Sequence, residues 1–117
     1  SHKTNIILSS LGDYLPNLTK INSKRRQNWQ YLHKRFIAKK YGSFFELRKQ
    51  DVPFLYMLQL KPGAKLKKIK KTINQFGIDC APYWKNNAIG LPCHQELNEE
   101  HLQYIYAVAM KGIADAR

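Results

Sequence analysis

In "VPFLYMLQLKPGAKLKKIKKTINQFG", residues 52–77, the spacing of the apolar residues changes halfway along, which indicates a change of secondary structure. Residues 52–60 form a dense apolar run, which is typical of a strand buried on both faces. After a Pro-Gly turn, apolar residues recur at helical spacing as far as Gly77, a residue that commonly ends helices. These helical positions are Leu66, Ile69, Ile73 and Phe76. A strand followed by a helix is therefore predicted at the centre of the chain.

A long amphipathic helix is predicted before this central unit. It begins at Asn17, after a short apolar run and a break at Leu15-Pro16, and it ends near Gly42. Lysines and arginines occupy one side of this helix, and apolar residues form a stripe on the other. The stripe consists of Leu18, Ile21, Trp29, Leu32 and Phe36.

The chain after the middle helix predicts one more strand and one more helix. Apolar and polar residues alternate over residues 78–84, which indicates a strand, and residues 85–90 are predicted to form a loop. Asn98 is expected to cap a C-terminal helix, with Glu99 and Glu100 near the positive end of the helix dipole. The predicted buried stripe of this helix is Leu102, Ile105, Val108, Ala109 and Ile113.

Together these elements predict an α+β fold with one core. A small antiparallel or mixed sheet of two to three strands packs against a long N-terminal helix, a middle helix and a C-terminal helix. The possible third strand lies near residues 43–49 or 88–93. A chain of 117 residues, 44% of them hydrophobic, is long and apolar enough to form one folded domain.

Charge and cysteine content narrow the classes of function. A formal net charge of +12 attracts phosphate, acidic lipid or an acidic protein surface. Two cysteines, Cys80 and Cys93, are too few for a disulfide scaffold, so free thiols in a reducing compartment are expected, with a single bridge left open. No stretch is apolar enough for a membrane span, and the N-terminal residues lack the pattern of a signal peptide. A cytoplasmic protein without membrane contact is expected.

The neighbours Cys93 and His94 are the most conspicuous candidates for chemistry. Adjacent residues on an extended segment point to opposite sides, so this thiol and this imidazole are not expected to form a nucleophilic pair. Adding Cys80 and His101 does not produce the ligand spacing of a zinc site. We expect no metal here, a buried Cys93, and an outward His94 that is either solvated or a ligand contact.

Basic and aromatic residues provide the remaining candidates. The segment "KLKKIKK", residues 65–71, arranges lysines around one apolar stripe, which suits either phosphate contacts or a solvated helix face. Two arginines of the first helix could bind a carboxylate or phosphate, or form surface salt bridges. The candidate anion contacts are Arg25, Arg26, Lys65 and Lys68. The pair Tyr83-Trp84 suits either a ligand pocket or packing in a core or interface.

Three stretches in a defined order carry a family resemblance. They are "KRRQNWQYLHKRF" (24–36), "FGIDCAPYW" (76–84) and "LPCHQELNEEHLQYI" (91–105). In this order they resemble the C-terminal small domain of the DegT/DnrJ/StrS family of pyridoxal-phosphate-dependent sugar aminotransferases. In that family a helix with an Arg-Arg-x-Asn-aromatic run leads into a "Gly-Ile" strand, and a Leu-Pro segment precedes an acidic helix. The matching positions are Arg25, Arg26, Asn28, Trp29, Gly77, Ile78, Leu91, Pro92, His94, Glu99, Glu100, Tyr104 and Ile105.

The resemblance implies a domain organisation and a set of partners. Residues 17–117 would form the small domain that closes over the active-site cleft, and residues 1–16 would be a leader or linker from a large domain. Tyr83, Trp84 and His94 would lie nearest the cofactor and the sugar. The whole enzyme would be a homodimer that uses pyridoxal 5′-phosphate and a nucleotide-sugar substrate, in amino-sugar or cell-surface polysaccharide biosynthesis.

The family's large domain has no counterpart in the sequence. That domain supplies the Schiff-base lysine and most of the groups that hold the cofactor. We therefore expect no catalytic residue and no cofactor in this chain alone, and an aminotransferase large domain as its partner, in the same chain or a separate one. The alternatives are a stand-alone basic module that binds nucleic acid or an acidic protein, and a degenerate domain kept for assembly with another subunit.

Overall fold

A computed structural model describes the backbone of residues 2–117 and the side chains of residues 17–117. Three helices and four short strands occur within this part of the chain. In order they are α1 (His2–Ala38), β1 (Gly42–Ser43), β2 (Leu55–Gln59), α2 (Leu66–Gln75), β3 (Ala81–Tyr83), a 3₁₀ turn (Trp84–Asn86), β4 (Ala88–Pro92) and α3 (Glu99–Asp115). The predicted α+β class is confirmed, with one strand more than expected.

The four strands form one antiparallel sheet in the order β1-β2-β4-β3. Both positions predicted for a third strand are occupied, by β1 and by β4. The prediction of a loop over residues 85–90 was wrong at its end, because β4 begins at Ala88. The predicted strand over residues 78–84 is shorter than expected and consists of β3 alone. Residues 88–91 are all buried, so β4 lacks the polar alternation that identifies a half-exposed strand.

All three helices pack on one face of the sheet. Tyr56 and Leu58 of β2 are fully buried on that face, and the rings of Trp29 and Phe36 of α1 lie 5.2 Å and 5.4 Å from the Tyr56 ring. Helix α3 lies beside α1, and α2 lies beside α3 in the same layer. The prediction that β2 is buried on both faces was wrong, because its alternate residues are only half-buried.

The other sheet face, here called the open sheet face, carries apolar side chains without a covering helix from the described part of the chain. Its members on the strands are Leu55, Met57 and Tyr83, and just after β1 they are Phe44, whose amide donates to the Met57 carbonyl, and Phe45, whose ring packs on Phe44. The Phe44 and Tyr83 rings approach to 5.7 Å from opposite edges of the sheet. A Cβ atom at Gly90 would lie 2.8 Å from Leu55 Cδ1 and 2.9 Å from Met57 Sδ, so glycine allows these side chains to lie close against β4.

The helix ends follow partly from the sequence. Helix α1 continues through the Leu15-Pro16 step, where a break was predicted, and it ends at Ala38 rather than near Gly42. Lys40 takes the left-handed conformation with φ 65°, and the Tyr41 amide donates to the Phe36 carbonyl at 2.9 Å, which closes a Schellman turn without glycine. Gly77, with φ 82°, ends α2 by the same geometry, as predicted.

The predicted apolar stripes form the core. The stripe of α3 is buried at every predicted position, whereas α1 buries Trp29, Leu32 and Phe36 and leaves its predicted positions Leu18 and Ile21 only half-buried. In α2 the exception is Phe76, which lies past the last helical turn and remains 40% exposed. None of the helices in the described part of the chain combines the length and the apolar character that crossing a bilayer requires.

Candidate functional site

The segment that joins β4 to α3, residues 93–98, places Cys93 and His94 in opposite environments. Cys93 is fully buried, and this burial raises the pKa of its thiol to about 12, although the nearby Arg25 charge acts to lower it. His94 is exposed. The predictions of a buried cysteine and an outward histidine are confirmed. Because the thiol is buried and protonated, Cys93 cannot act as a nucleophile in this conformation.

Two residues of α1 hold this segment in place. The side chain of Asn28 is buried, and its Nδ2 donates a hydrogen bond of 2.8 Å to the His94 carbonyl. Arg25 Nε donates to Gln95 Oε1 at 2.9 Å, and the Arg25 guanidinium also lies 4.9 Å from the centre of the Phe54 ring. Residues 24–36 and 91–105, two of the three stretches that resemble the aminotransferase family, therefore contact each other. The Leu-Pro segment is anchored by the Arg-Arg-x-Asn run.

The anchoring role of Asn28 was not predicted, although the sequence contains a signal for it. Asn28 lies four residues before Leu32, on the apolar stripe of α1. An amide on a buried stripe must find a partner, because an unsatisfied polar group in a core costs about 1–3 kcal/mol. The sequence does not reveal that this partner is a carbonyl 66 positions away.

Arg26, the second predicted anion contact on α1, binds backbone carbonyls. Its Nη1 donates to the carbonyls of Arg48 and Asp51 at 2.9 Å and 2.6 Å. These bonds secure the connection between β1 and β2. Both arginines therefore have protein partners in this structure, and binding of an anion by either one stays a prediction.

A groove of about 540 Å³ lies between this anchored segment, the start of β2 and the first turns of α3. We call it the histidine groove because His94 and His101 both line it. Its other polar lining comes from Asp79 and Tyr104, and its apolar lining includes Phe54, Leu55, Ile78, Pro92, Leu97 and Ile105.

The hydrogen bonds of the two histidines define what they offer to a ligand. Nδ1 of His94 accepts from the Glu96 amide at 3.3 Å. Nδ1 of His101 accepts from the Asn98 amide at 3.1 Å, and Asn98 Oδ1 accepts from the His101 amide at 2.9 Å, which completes a capping box at the predicted helix cap. In the neutral rings Nε2 therefore carries the proton and can donate to a ligand.

The histidine groove is suited to binding rather than to covalent chemistry. An apolar wall with a few hydrogen-bonding groups orients a small polar ligand. Residues 17–117 contain no cluster of three or more histidine, cysteine, aspartate or glutamate side chains arranged to hold a metal ion. The Tyr104 hydroxyl already donates to the Phe76 carbonyl at 2.7 Å.

The structure does not bring Tyr83 and Trp84 to the same groove as His94. Tyr83 pairs with Ala88 at one end of β4, whereas His94 follows the other end. At about 3.4 Å per strand residue, Ala88 and His94 lie roughly 20 Å apart. Trp84 instead borders a second pocket, whose basic lining residues are Lys67, Lys70 and Lys71. Cofactor or sugar contacts by Tyr83, Trp84 and His94 stay predictions, but within this chain they are not one site.

The predicted anion contacts Lys65 and Lys68 lie apart from that second pocket. Lys65 lines a different depression near the C-terminus, and Lys68 is exposed on another side of α2. Lys67, Lys70 and Lys71 belong to the segment 65–71 that was predicted as a possible phosphate-contacting surface, but Lys65 and Lys68 were chosen as the individual contacts because the sequence does not show which side of α2 faces Trp84.

The described residues do not fit the catalytic site of a pyridoxal-phosphate enzyme. A Schiff-base lysine requires a desolvated pocket and a partner for the pyridine nitrogen. No lysine within residues 17–117 is buried, and the lysines of α2 face solvent or the surface pocket beside Trp84. Residues 17–117 therefore provide a wall for a ligand, but no lysine placed to form a bond with this cofactor.

Comparison with known proteins identifies the fold. No family model and no curated protein matches the sequence. The similar solved structures include the "Putative sugar aminotransferase Spr1654 from Streptococcus pneumoniae" in its PMP form, with a TM-score of 0.74 and 13% identity, and in its apo form, with a TM-score of 0.72 and 15% identity. The matches cover 90% and 89% of this chain.

The same comparison limits how much of an enzyme is present. The matched region is 33% of the length of each solved chain. The chain therefore has the fold of about a third of a sugar aminotransferase, and the remaining two-thirds of that protein have no counterpart here. At these identities the likeness establishes a shared fold.

Proposed function

We propose that this chain is the small domain of a pyridoxal-phosphate-dependent sugar aminotransferase of the DegT/DnrJ/StrS kind. The observation that carries the proposal is the match of nearly the whole chain to one third of a sugar aminotransferase. The order of the three sequence stretches that resemble the family supports the same assignment independently. PMP is the amino form of pyridoxal phosphate, so the PMP form of the matched aminotransferase agrees with the proposed cofactor chemistry.

The proposed role of the domain is to position and enclose the sugar substrate. His94 and His101 line an apolar groove and can each donate a hydrogen bond through Nε2. Such donors suit the hydroxyl and carbonyl oxygens of a sugar, and orienting the substrate is itself a large part of catalysis. The cofactor, its Schiff-base lysine and the reacting atoms belong to the large domain. Amino-sugar or cell-surface polysaccharide biosynthesis is the proposed context.

The open sheet face supports the need for a partner domain. Phe45 and Tyr83 are 56% and 46% exposed, and Leu55 and Met57 lie half-buried beside them. A contiguous apolar surface of this kind usually marks a contact with another domain or chain. We propose that the large domain, in the same chain or a separate one, packs against this face, and that the whole enzyme is a cytoplasmic homodimer.

Trapping the cofactor tests this function directly. The natural polypeptide is incubated with pyridoxal phosphate, reduced with borohydride and digested, and the pyridoxyl-lysine peptide is located by mass spectrometry. We expect the modified lysine to lie outside residues 17–117, and we expect the isolated 117-residue chain to carry no stoichiometric label. A single fully labelled lysine within residues 17–117, together with amino transfer by the isolated chain, would refute the proposal.

A further inference from the structure

The second pocket combines positive charge with an exposed aromatic ring. It has a volume of about 510 Å³ and is lined by Lys67, Lys70, Lys71, Asn74, Gln75 and Trp84. The three lysines follow the spacing i, i+3, i+4, so they form one stripe along α2. Trp84 lies beside that stripe and is 58% exposed. We call this surface the basic pocket.

The backbone that carries Trp84 is held firmly. The turn closes with a hydrogen bond from the Asn87 amide to the Trp84 carbonyl, and Asn87 has a left-handed conformation with φ 52°. Gln59 Nε2 donates to the carbonyls of Asn86 and Asn87 at 2.9 Å and 3.1 Å. Asn87 Nδ2 donates to the Lys61 carbonyl at 2.9 Å. The exposed indole is therefore presented by an ordered turn, which lowers the entropy cost of binding.

The charge of the basic pocket is not neutralised by carboxylates. Helix α2 contains no acidic residue. The ion pairs within residues 17–117 are Arg48 with Asp51 and Lys111 with Asp115, and neither involves α2. A lysine surface alone is explained by solubility, but an exposed tryptophan beside it is not, because a large exposed ring does not improve solubility.

We propose that the basic pocket binds single-stranded nucleic acid, with a base stacked on Trp84 and the flanking phosphates against Lys67, Lys70 and Lys71. Single-strand binding combines a positive surface with an aromatic ring that stacks on unpaired bases. An acidic peptide would use the lysines but not the ring, and a duplex would hide the faces of its bases. The proposal goes beyond the proposed role in enclosing the sugar substrate of an aminotransferase and does not depend on it.

The experiment is a fluorescence titration of the 117-residue chain with a single-stranded oligonucleotide of about 12 residues. Trp84 reports on stacking, because the other tryptophan, Trp29, is buried in the core. We expect quenching of Trp84 and an affinity that falls steeply with salt as counterions are released. Because substitution of Trp84 removes this signal, the affinities of wild type and of the Trp84 variants are compared by the fluorescence anisotropy of a dye-labelled oligonucleotide. Trp84→Ala is expected to bind at least about fivefold more weakly than wild type, and Trp84→Phe to bind with an intermediate affinity.

Two triple variants that remove the same charge distinguish the contribution of the basic pocket to binding from that of the protein's net charge. Lys67→Gln/Lys70→Gln/Lys71→Gln removes the stripe, and Lys20→Gln/Lys34→Gln/Lys49→Gln removes the same charge from exposed positions on α1 and the β1–β2 connection. With about 0.7 counterions released per phosphate contact, the pocket variant is expected to reduce the slope of log affinity against log salt by about two. The control variant is expected to leave the slope nearly unchanged.

Three results would overturn the proposal. The first is equal affinity of wild type and Trp84→Ala for the oligonucleotide. The second is binding of a duplex or of heparin, a polyanion without bases, at least as tight as that of the single strand. The third is binding of a mononucleotide as tight as that of the oligonucleotide, which would assign the pocket to a small ligand instead of a strand.

Discussion

The two ends of β4 differ in the kind of contact that surrounds them. At the Pro92 end, here called the anchored end, the chain is fixed by buried polar contacts from α1, with Asn28 bound to the His94 carbonyl. At the Ala88 end, here called the basic end, Trp84, Lys67 and Lys71 are exposed and Lys70 is half-buried. One end of β4 therefore lies beside a side chain that is buried and hydrogen-bonded, and the other end lies beside lysines that are accessible to solvent.

This difference predicts different consequences of mutation. Removing a partner from a buried hydrogen bond leaves an unsatisfied group and costs stability. Removing a hydrated surface charge costs almost no stability, but it changes the electrostatic attraction of ligands. Mutations at the anchored end should therefore lower the free energy of unfolding, and mutations at the basic end should change the affinity for ligands.

The largest expected difference between the ends is in thiol reactivity. Cys93 at the anchored end is fully buried, whereas Cys80, which contacts Asn74 of the basic pocket, is half-buried. The pKa of the Cys80 thiol is also raised, mainly because the thiol is partly buried. The charge of Lys70 acts to lower this pKa, and the charge of Asp79 acts to raise it. Labelling of Cys93 requires local opening, and an opening that costs about 3 kcal/mol slows the reaction about 100-fold. We expect iodoacetamide to label Cys80 first, as measured by peptide mass spectrometry. Equal labelling rates under native conditions would contradict a buried Cys93.

The Asn28→Ala variant tests the anchor itself. It leaves the His94 carbonyl without its buried donor, so we expect the free energy of unfolding to fall by about 1–3 kcal/mol. Urea denaturation measures this change, and Gln30→Ala at an exposed position of the same helix is the control. Labelling of Cys93 should also accelerate in Asn28→Ala. If the two variants unfold at the same urea concentration, Asn28 does not anchor the segment.

A smaller effect is expected from pH near the anchored end. His33 Nδ1 lies 2.9 Å from the hydroxyl of Tyr56, which is buried opposite Leu91, and its ring stacks on Trp29. Burial lowers the pKa of His33 below its ordinary value of 6.5. The unfolded chain therefore binds this proton more tightly, so the stabilising contribution is complete above pH 6.5 and is lost as the pH falls toward the pKa of the folded state.

The measurement for this effect is urea unfolding at pH 7 and at about pH 5.5. We expect the wild type to lose more stability between these values than His33→Gln, which keeps a hydrogen-bonding group but does not titrate. The lysines of the basic end remain protonated over the same range. An identical pH dependence of the two proteins would show that His33 does not contribute.

The smallest expected change in stability is at the basic end. The triple variant Lys67→Gln/Lys70→Gln/Lys71→Gln is expected to unfold within about 0.5 kcal/mol of wild type, because exposed substitutions rarely change stability by more. Its binding to an oligonucleotide should nevertheless weaken. A loss of several kcal/mol in urea denaturation would mean that the stripe is part of the packed structure and would remove the contrast between the two ends.

Much of the helical framework was predictable from periodicity. The stripe of α3 and the capping residue Asn98 are local features, and both are confirmed. Strand β4 was predicted only as one of two possible positions for a third strand, because Ala88, Ile89 and Gly90 are all buried and show no alternation. Helix α1 passes Pro16 although a proline usually ends or kinks a helix.

The candidate site was less predictable than the helices because it depends on contacts between distant parts of the chain. The burial of Cys93 and the exposure of His94 followed from their alternation on an extended segment. The separation of Trp84 from His94 did not, since it requires the sheet register. The choice between Lys68 and Lys67 as a neighbour of Trp84 likewise requires the orientation of α2 relative to the 3₁₀ turn.

We proposed that this domain works as part of a larger aminotransferase, and the decisive measurement is the intact mass of the natural polypeptide in its native cells. The chain of 13.7 kDa matches 33% of the solved aminotransferase, so we expect either a mass of about 40 kDa or tight co-purification with a separate large domain. A polypeptide near 13.7 kDa that purifies without such a partner would contradict the claim.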